Sequence, residues 1–370
     1  MDKALNNIKN IKRTFLSEDT VQGNCENFIG ATQVPLGLAG PLKVYLQTIK
    51  EDLEKRIIFV PLATTEGALV ASVNRGLKAT YLSGGINTYV ENIGTTRGPL
   101  FRVKNIKESQ KIINYIDTNI NNLKKAARTS SSYIKLTKID HQAIGKNLWL
   151  RLYFDTSEAM GMNMVTYASE NIAQLIQKDL KIKCTSLSGN FCSDKKTSWS
   201  NFILGRGKKV WAESVIRKDV VKEVLKTNPD KIVSIVKNKS QLGSIITGSL
   251  GFNAHFANII AGLYLSLGQD LGHIPEGSMG ITDAEVENNG DLYFAIYMPD
   301  IMVGSVGGGT RLPTQKETLN IIGVKNNKGD SQILAQIIVA TVLAGELSLS
   351  AALASGDLAK SHKNLSKINK

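Results

Sequence analysis

The sequence predicts an α+β fold in which a small domain is inserted into a larger one. Residues 98–186 follow the order strand, helix, strand, strand, helix, strand, which is the order of a ferredoxin-like (split βαβ) domain. On either side of this range, the order of strands and helices favours α+β over a regular βα alternation. Residues 333–354 are apolar on every face, which predicts a helix buried on all sides.

Within the inserted range, alternation of apolar and polar residues indicates strands, and an amphipathic spacing indicates helices. The strands are expected at 101–103, 133–137, 147–154 and near Ile182. The two helices are expected at 106–123 and 163–179.

The larger domain begins with a polar, Lys- and Asn-rich segment, residues 1–25, which is predicted to form a short helical arm. Pro and Gly residues between 34 and 42 favour a turn-rich, extended path. Thr64 or Thr65 can cap a helix that begins near Glu66. The remaining strands are expected at 44–45, 56–60, 211–216, 292–298 and 301–306. The remaining helices are expected at 218–236, 254–267, from about 313, and 333–354.

Composition is typical of a soluble globular protein. The chain has 370 residues, of which 42% are hydrophobic and 21% are charged, and a formal net charge of +13. This charge indicates either a lysine-rich surface that favours solubility or a field that attracts polyanions such as nucleotides or coenzyme A. No basic stripe interleaved with aromatic residues is present, so no nucleic-acid partner is predicted.

The spacing of cysteine and histidine argues against a metal site. The three cysteines are odd in number and lack CxxC spacing, and the four histidines lack an HxxxH pair. Free thiols favour a cytoplasmic location. No apolar run follows the N-terminal lysines, so no signal peptide is expected. The uncharged run 331–345 is too short for a membrane span, which needs ~20 apolar residues.

The segment 188–196 is the strongest candidate for a reaction centre. Its small residues end in Asp194, Lys195 and Lys196, one carboxylate followed by two ammonium groups. Such a loop is suited to hold an anion and to polarise a carbonyl oxygen. Asp270 lies just past an apolar helix, where the helix dipole disfavours an anion. It is therefore either an exposed cap residue or a partner of Lys195.

Three further features have both an ordinary and a functional interpretation. Glu66 is expected in a first helical turn, where glutamate is normally structural. Small apolar surroundings and a facing carboxylate would instead favour a protonated Glu66 side chain that can donate a proton. His362 lies between lysines in the C-terminal tail, either solvated or delivered late as a proton donor. Gly307, Gly308 and Gly309 can bring backbone amides close to a phosphate or a nicotinamide.

These segments resemble hydroxymethylglutaryl-CoA (HMG-CoA) reductases, from Glu26 to about His362. The matching motifs are ENFIG with PLGLAGPL, PLATTEGALVASVNRG, TTRGP, EAMGMNM, SGNFCSDKK with GRGKKV, GFNAHFANI with GQD, VGGGT, and LAGELSLSAALASGDLAKSH. The resemblance is closer to the class I, biosynthetic branch than to the degradative class II branch. The lack of a membrane anchor is similar to the soluble archaeal form.

The resemblance implies a large domain around a buried central helix, formed by residues 26–97 and 187–370, which binds HMG-CoA. It implies that the inserted ferredoxin-like domain, residues 98–186, binds NADP. It also implies a homodimer or higher homo-oligomer with active sites at the subunit interface. The catalytic groups therefore need not converge within one chain.

By resemblance, four residues are catalytic in the reduction of HMG-CoA to mevalonate and CoA with two NADPH. Lys195 stabilises the developing oxyanion, and Glu66 gives a proton to the carbonyl oxygen. Asp270 bonds to both, and His362 protonates the departing thiolate. The residues implied to bind HMG-CoA are Ser72, Arg75, Arg97, Ser188, Asp194, Lys196, Lys239 and Asn258. The residues implied to bind the dinucleotide are Ser131, Ser132, Glu158, Met160, Gly161, Met162, Asn163, Gly307, Gly308 and Gly309.

Two positions depart from the family pattern and leave NADH open beside NADPH. Glu158 stands where the family commonly has Asp, and its extra methylene changes its reach toward a ribose. Ser132 stands where class I members have an arginine for the 2′-phosphate, which Arg128, Lys135 or Lys138 could replace. The alternatives are an NAD-linked, class II-like enzyme that oxidises mevalonate, and a non-enzymatic binder of CoA or polyanions.

Overall fold

The structure is a computed structural model that describes residues 10–356, and its elements follow an α+β order. The strands are β1 (Leu36–Gln47), β2 (Leu53–Ala63), β3 (Ile86–Arg97), β4 (Leu100–Arg102), β5 (Lys135–Ile144), β6 (Asn147–Asp155), β7 (Lys183–Ser186), β8 (Arg206–Ile216), β9 (Gly251–Phe252), β10 (Gly280–Val286) and β11 (Leu292–Ile301). The helices are α1 (Glu18–Val21), α2 (Leu69–Leu82), α3 (Ile106–Thr118), α4 (Ile120–Arg128), α5 (Met162–Leu180), α6 (Trp199–Leu204), α7 (Lys218–Glu223), α8 (Pro229–Ile235), α9 (Ser244–Thr247), α10 (Phe256–Ser266), α11 (Ile274–Gly277), α12 (Pro313–Ile321) and α13 (Asp330–Ser355). A π-helical segment lies at Val236–Gly243, and 3₁₀ turns lie at Leu271–His273 and Gly308–Arg311.

The larger of two hydrophobic cores lies between a sheet and α13. In this sheet β3, β8, β11, β10 and β9 are successive neighbours, and β1 pairs with β2 and β3. Every second residue of β11 from Leu292 to Met298 is buried, because one face of the strand covers the core. The sheet therefore supplies one wall of the core, and α13 packs on it.

The inserted segment has the strand order β7-β4-β6-β5, with adjacent strands antiparallel. β4 and β5 consequently run parallel with β6 between them, which is the split βαβ arrangement. Its core is separate from the core around α13 and includes Phe101, Leu123, Leu150 and Ile172. The predicted fold class is confirmed. The division into residues 26–97 with 187–370 and residues 98–186 stays a prediction.

β3 joins the two sheets. Its first part pairs with β8, and Thr95 to Arg97 pair with β6. Between them, Gly94 has φ +91°, and a Cβ atom there would lie 2.5 Å from the carbonyl oxygen of Phe154. Only glycine fits this close approach. The strand therefore carries Arg97 from the larger sheet to the strands of the inserted segment.

The central helix α13 is buried along nearly its whole length and ends at Gly356, which has φ +75°. It packs against α2, α8 and α10 and against β1, β3, β8 and β11. Among residues 10–356, α13 alone is long and apolar enough to cross a membrane, but 83% of its most apolar window is buried. The expectation of a segment too short to span was wrong, because the helix extends over 26 residues. The prediction of a buried core helix is confirmed.

Two predicted helices are each divided in the structure. The helix expected at 106–123 is interrupted at Asn119, which ends α3. The helix expected at 218–236 is divided into α7 and α8, because Asn228 caps a new helix and Pro229 is its first residue. In the predicted arm, the described residues 10–25 contain α1 as their single helix.

Gly76 of α2 lies directly against the backbone of α13. A Cβ atom on Gly76 would come within 1.8 Å of the carbonyl oxygen of Ala344. We expect Gly76→Ala to lower the free energy of unfolding by about 3 kcal/mol, because the two helices must separate. Thermal and denaturant unfolding measure this change. Gly67→Ala is the control, because a Cβ there meets no atom within 4 Å. Equal losses in both variants would contradict the packing argument.

Candidate active site

An ion pair between Lys195 and Asp270 lies at the centre of the candidate site. Nζ of Lys195 is 2.8 Å from Oδ2 of Asp270, and the two side chains are 44% and 36% exposed. The ammonium is therefore neutralised by a carboxylate but remains open to a ligand. The expected pairing is present, whereas the catalytic role of each residue stays a prediction.

Asp270 is the N-cap of the 3₁₀ turn Leu271–His273 and lies four residues past the end of α10. α10 already ends at Ser266, and the Asp270 carboxylate accepts a hydrogen bond of 2.9 Å from the Gly272 N–H. Burial raises the pKa of Asp270, but the hydrogen bonds from Lys195 and Gly272 outweigh burial and leave the pKa below its ordinary value. The carboxylate is thus favoured in its charged form beside Lys195.

The backbone and the side chain of Lys195 are both held in place. The backbone has φ +58°, a left-handed conformation that few non-glycine residues adopt. Its N–H donates a hydrogen bond of 3.1 Å to Oε2 of Glu276. Gly272 lies directly against the side chain, because a Cβ atom there would be 2.8 Å from Nζ of Lys195.

The buried guanidinium of Arg206 joins the loop at 188–196 to the interior. It has no exposed side-chain surface, and it lies 2.9 Å from Asp194 and 2.7 Å from Glu276. Its Nε donates to Oγ1 of Thr96 at 3.0 Å. Burial by itself would lower the pKa of Arg206, but the nearby carboxylates of Glu276 and Asp194 outweigh it and raise the pKa. Arg206 therefore stays charged and holds both acidic residues.

Two more buried ionisable residues lie behind the Lys195–Asp270 pair. The Nδ1 atom of His273 is hydrogen-bonded to Glu276, and its Nε2 atom is 3.4 Å from Oδ2 of Asp270. Asp300 accepts a hydrogen bond of 2.7 Å from the Asn201 side chain. Burial raises the pKa of Asp300 well above its ordinary value, and the neighbouring charge of Glu276 adds to this effect. Asp300 is therefore favoured in its neutral form.

Asp194, His273 and Glu276 each place a possible ligand atom for a metal ion within 4.8 Å of the others. Arg206 already bonds to both carboxylates of this group. A cation would have to compete with a buried guanidinium there, so this group does not fit a metal site.

Several residues implied to bind HMG-CoA lie close to the reaction centre. Arg97 is 3.3 Å from the second carboxylate oxygen of Asp194. Nζ of Lys196 donates to the Asp194 carbonyl oxygen at 3.1 Å. Ser188 is exposed, and its side chain contacts none of these groups by a hydrogen bond within residues 10–356. The structure thus groups Arg97, Asp194 and Lys196 beside Lys195.

A cavity of about 830 Å³ lies beside this cluster. It is lined by Lys239 on the π-helical segment, by Trp199 after the loop at 188–196, and by Pro275 and Ser278, which flank Glu276. Irregular helical turns of this kind are frequent at functional sites. Asn258, on α10, is half-buried, and its side chain forms no hydrogen bond with the described residues.

Ser72 and Arg75, implied to lie near the CoA, meet at one residue of α13. Oγ of Ser72 is 3.0 Å from Oγ of Ser348, and Nε of Arg75 is 3.0 Å from the same atom. Nη2 of Arg75 also donates to the Ser348 carbonyl oxygen at 2.6 Å. These two residues form a separate group on the face of α2 that meets the central helix.

Glu66 forms no hydrogen bond or ion pair with the Lys195–Asp270 pair among the described residues of its own chain. α2 begins at Leu69 rather than near Glu66, because Ala68 has φ +71° and interrupts the helical path. The Glu66 N–H donates to Oγ1 of Thr64 at 2.9 Å, and its exposed side chain forms no hydrogen bond or ion pair within residues 10–356. The expected first-turn environment was therefore wrong. His362 lies outside the described residues.

The segments implied to bind the dinucleotide converge. Ala159 and Val306 form a parallel β-bridge, which joins the EAMGMNM segment to the VGGGT segment. The Glu158 carboxylate accepts hydrogen bonds of 2.7 Å from the N–H groups of Gly329 and Ser331, at the N-terminus of α13. An anion there is favoured by the helix dipole. Glu158 therefore connects the inserted segment to the central helix.

Backbone packing brings the glycine-rich segment to the reaction centre. A Cβ atom on Gly309 would lie 2.7 Å from the carbonyl oxygen of Gly268, two residues before Asp270. Gly307 and Gly308 have positive φ angles and open space where a Cβ would be. The other residues implied for the dinucleotide have different environments. Sδ of Met162 is 3.1 Å from Arg206, and the Met160 carbonyl oxygen accepts a hydrogen bond from Thr95. Gly161 is the N-cap of α5, Asn163 is exposed, and the Ser131 hydroxyl accepts a hydrogen bond from the Tyr133 N–H.

Arg206, His273 and Glu276 were missed as site residues by the sequence reasoning. Arg206 stands between two glycines in GRGKK, which is a recognisable signal for a close backbone approach around a functional side chain. His273 and Glu276 are three residues apart, a spacing that brings side chains together on a helical turn. That spacing is too common to identify a site without knowledge of burial.

The fold and this arrangement define a class of α+β proteins with a charged cleft centred on a lysine–aspartate pair and bordered by glycine-rich segments. The family model for hydroxymethylglutaryl-coenzyme A reductase matches residues 2–367. The chain belongs to this family.

Curated relatives match over most of the chain. The 3-hydroxy-3-methylglutaryl-coenzyme A reductase of Pyrococcus abyssi is 46% identical over 349 residues, 92% of this chain and 84% of that protein. That of Methanocaldococcus jannaschii is 46% identical over 356 residues, 94% of this chain and 86% of that protein. The 3-hydroxy-3-methylglutaryl coenzyme A reductase 1 of Cannabis sativa is 42% identical over 94% of this chain and 60% of that protein.

Solved structures share the fold. The class II 3-hydroxy-3-methylglutaryl-CoA reductase from Streptococcus pneumoniae, bound to NADPH in open conformations, gives a TM-score of 0.73 at 18% identity over 91% of this chain and 89% of that chain. A second structure of the Streptococcus pneumoniae enzyme gives a TM-score of 0.72. This likeness supports the α+β fold, and at such low identity it shows the fold alone.

We expect Gly272→Ala to displace the Lys195 side chain, because the new Cβ would overlap with Nζ, Cε and Cδ. A displacement of about 1 Å typically lowers turnover by about 10²-fold. The measurement is the rate of HMG-CoA reduction, together with thermal unfolding to show that the fold is retained. A wild-type rate in a folded variant would contradict the close contact between Gly272 and Lys195.

Proposed function

We propose that this protein reduces HMG-CoA to mevalonate and CoA in the mevalonate pathway of isoprenoid synthesis. The observation that carries the proposal is the Lys195–Asp270 ion pair in the SGNFCSDKK and GQD motifs, beside Asp194 and Arg97. Family membership and curated relatives named as reductases favour this activity over a non-enzymatic polyanion binder. The proposal keeps the predicted cytoplasmic location and assigns no nucleic-acid or membrane partner.

Lys195 is the group that stabilises negative charge on the thioester oxygen. Its ammonium lies in a fixed position before the reaction, so no reorganisation is needed when the oxyanion develops. Asp270 holds the ammonium in place. Two molecules of a nicotinamide dinucleotide, bound in turn, would each supply one hydride. Arg97 and Lys196 supply positive charge for the carboxylate of the hydroxymethylglutaryl group.

Turnover by the purified protein tests the activity directly. We expect HMG-CoA-dependent oxidation of NADPH with release of free CoA thiol. Lys195→Ala should lower the rate by about 10²–10³-fold, because an oxyanion donor is lost. Lys183→Ala, at an exposed lysine of β7, is the matched control and should keep the wild-type rate. Absence of turnover in the wild-type protein with either nicotinamide would contradict the proposed activity.

We propose a homodimer or higher oligomer in which Glu66 of one chain completes the site of another. Glu66 is exposed and forms no hydrogen bond or ion pair with the described residues of its own chain, although the family role puts it beside Lys195. By the same resemblance, His362 would protonate the thiolate of CoA as it leaves.

Mixing two inactive variants tests this shared site. We expect Glu66→Gln and Lys195→Ala each to be inactive alone. After co-refolding, mixed dimers would contain one intact site, so activity should return to about one quarter of wild type. Mixing Lys195→Ala with Asp270→Asn is the control, because these two residues belong to the same site in one chain and no intact site can form. Absence of recovery in the first mixture would contradict sharing between chains.

We propose NADPH as the preferred reductant. Ser132, Lys135, Lys328 and Glu158 line one cavity of about 280 Å³ next to the N-terminus of α13. The two exposed lysines can replace the missing arginine as partners of a 2′-phosphate.

Cofactor kinetics test this preference. We expect Lys135→Ala and Lys328→Ala each to raise the KM for NADPH by about tenfold, which is roughly 1.4 kcal/mol per lysine. The KM for NADH should stay near wild type, because NADH lacks the 2′-phosphate. Lys138→Ala is the control from the same strand, because Lys138 pairs with Asp140 and does not line the cavity. Equal effects on both cofactors would contradict the phosphate assignment.

A further inference from the structure

His273 is a buried histidine between two carboxylates of the candidate site. It has no exposed surface. Its Nδ1 atom is hydrogen-bonded to Oε1 of Glu276, and its Nε2 atom is 3.4 Å from Oδ2 of Asp270. Within residues 10–356, Nε2 has no hydrogen-bond partner at this separation. A shift of a few tenths of an ångström would turn the ion-pair contact with Asp270 into a hydrogen bond.

The two carboxylates around His273 limit the protons that this ring can carry. A neutral imidazole has one donor and one acceptor, whereas an ionised carboxylate is an acceptor only. Nδ1 and Nε2 of His273 both face carboxylate oxygens. Both nitrogens can donate a hydrogen bond to these oxygens only when both carry protons. Hydrogen bonds and charge hold the pKa of Asp270 below its ordinary value despite its burial, which favours the proton on Nε2 rather than on Asp270.

The two neighbours of His273 are the two groups that fix Lys195. Asp270 holds the side-chain ammonium, and Glu276 accepts the hydrogen bond from the Lys195 backbone N–H. The imidazole of His273 therefore lies between Asp270, which contacts the Lys195 side chain, and Glu276, which contacts the Lys195 backbone. With Arg206 on the far side of Glu276, the series Lys195, Asp270, His273, Glu276 and Arg206 alternates in charge.

We propose that His273 is a positioning residue of this reaction centre. Its imidazole, protonated on both nitrogens, is anchored by Glu276 and holds the Asp270 carboxylate in place against the Lys195 ammonium. The catalytic part of this inference rests on the proposed function, whereas the bonding of the ring does not. His273 touches no reacting atom and acts through Asp270.

Other ionisable groups around His273 do not replace this role. From α10, Tyr264 lies close to Asp270 and Glu276, and burial raises the pKa of its phenol well above the ordinary value, so it stays neutral. From β11, Asp300 bonds to Asn201. From β8, Arg206 is already bonded to Glu276 and Asp194. Among the described residues, His273 is therefore the one side chain with an ion-pair contact to both Asp270 and Glu276.

Kinetics of His273→Gln test the positioning role. Glutamine can donate to one carboxylate but cannot carry the positive charge that the two carboxylates share. We expect kcat to fall by about 10- to 100-fold while the KM for HMG-CoA changes less than about threefold. His141→Gln, at an exposed histidine of β5, is the matched control and should keep wild-type kinetics.

A double-mutant cycle separates positioning from a general loss of structure. If His273 acts through Asp270, His273→Gln should cost little further activity in the Asp270→Asn background. Additive losses in the cycle, or a wild-type kcat in His273→Gln, would overturn the proposal. Near-ultraviolet circular dichroism and thermal unfolding show whether each variant is folded, and rates are expressed per folded enzyme.

Nitrogen-15 NMR of the histidine rings tests the bonding without any need for turnover. The chain has four histidines, so loss of one pair of ring signals in His273→Gln assigns the ring. We expect both ring nitrogens of His273 to be protonated and Asp270→Asn to shift the Nε2 signal. An unprotonated Nε2 that is unchanged in Asp270→Asn would overturn the proposal. If the expected signals occur in a protein that does not reduce HMG-CoA, the proposed function fails and the assignment of the ring stands.

Discussion

The buried ion pair between Arg206 and Glu276 is the interaction on which the candidate site depends. Neither side chain is exposed, so each charge is tolerated because the other balances it and further hydrogen bonds complete both groups. Arg206 also holds Asp194, and Glu276 also holds the backbone of Lys195. Removing one partner of such a pair typically costs about 3–5 kcal/mol. The interior of the protein, rather than the loop's own sequence, therefore sets the conformation of the reactive loop.

The central helix α13 fixes the segments around this pair. Although it is apolar overall, it carries polar groups that bond to neighbouring elements. Gln336 bonds to the backbone of Gln47 in β1. Glu346 accepts hydrogen bonds from backbone N–H groups just before α10, and Ser348 bonds to Arg75 of α2. Buried polar groups that are satisfied in this way specify one arrangement of the core. The same helix therefore builds the core and sets the positions of the elements that carry the proposed ligand residues.

Much of the fold could be predicted because its signals are local. Apolar periodicity identified the strands of the inserted domain and the helix at 333–354, and both correspond to elements of the structure. The errors occurred where one residue changed the backbone path. Pro229 begins a new helix inside the range predicted as one helix, and the left-handed Ala68 delays the start of α2. Periodicity is insensitive to such single-residue events, because the apolar pattern continues across them.

By itself, the sequence determined the chemistry of the reactive loop, because Asp194, Lys195 and Lys196 are adjacent along the chain. The tertiary structure alone decided which charges meet. Arg206 and Glu276 are separated by 70 residues, and no spacing rule connects them. The strength of an ion pair depends on the distance between its charges in space and on their removal from water. Both quantities arise only when the sheet and the helices pack together.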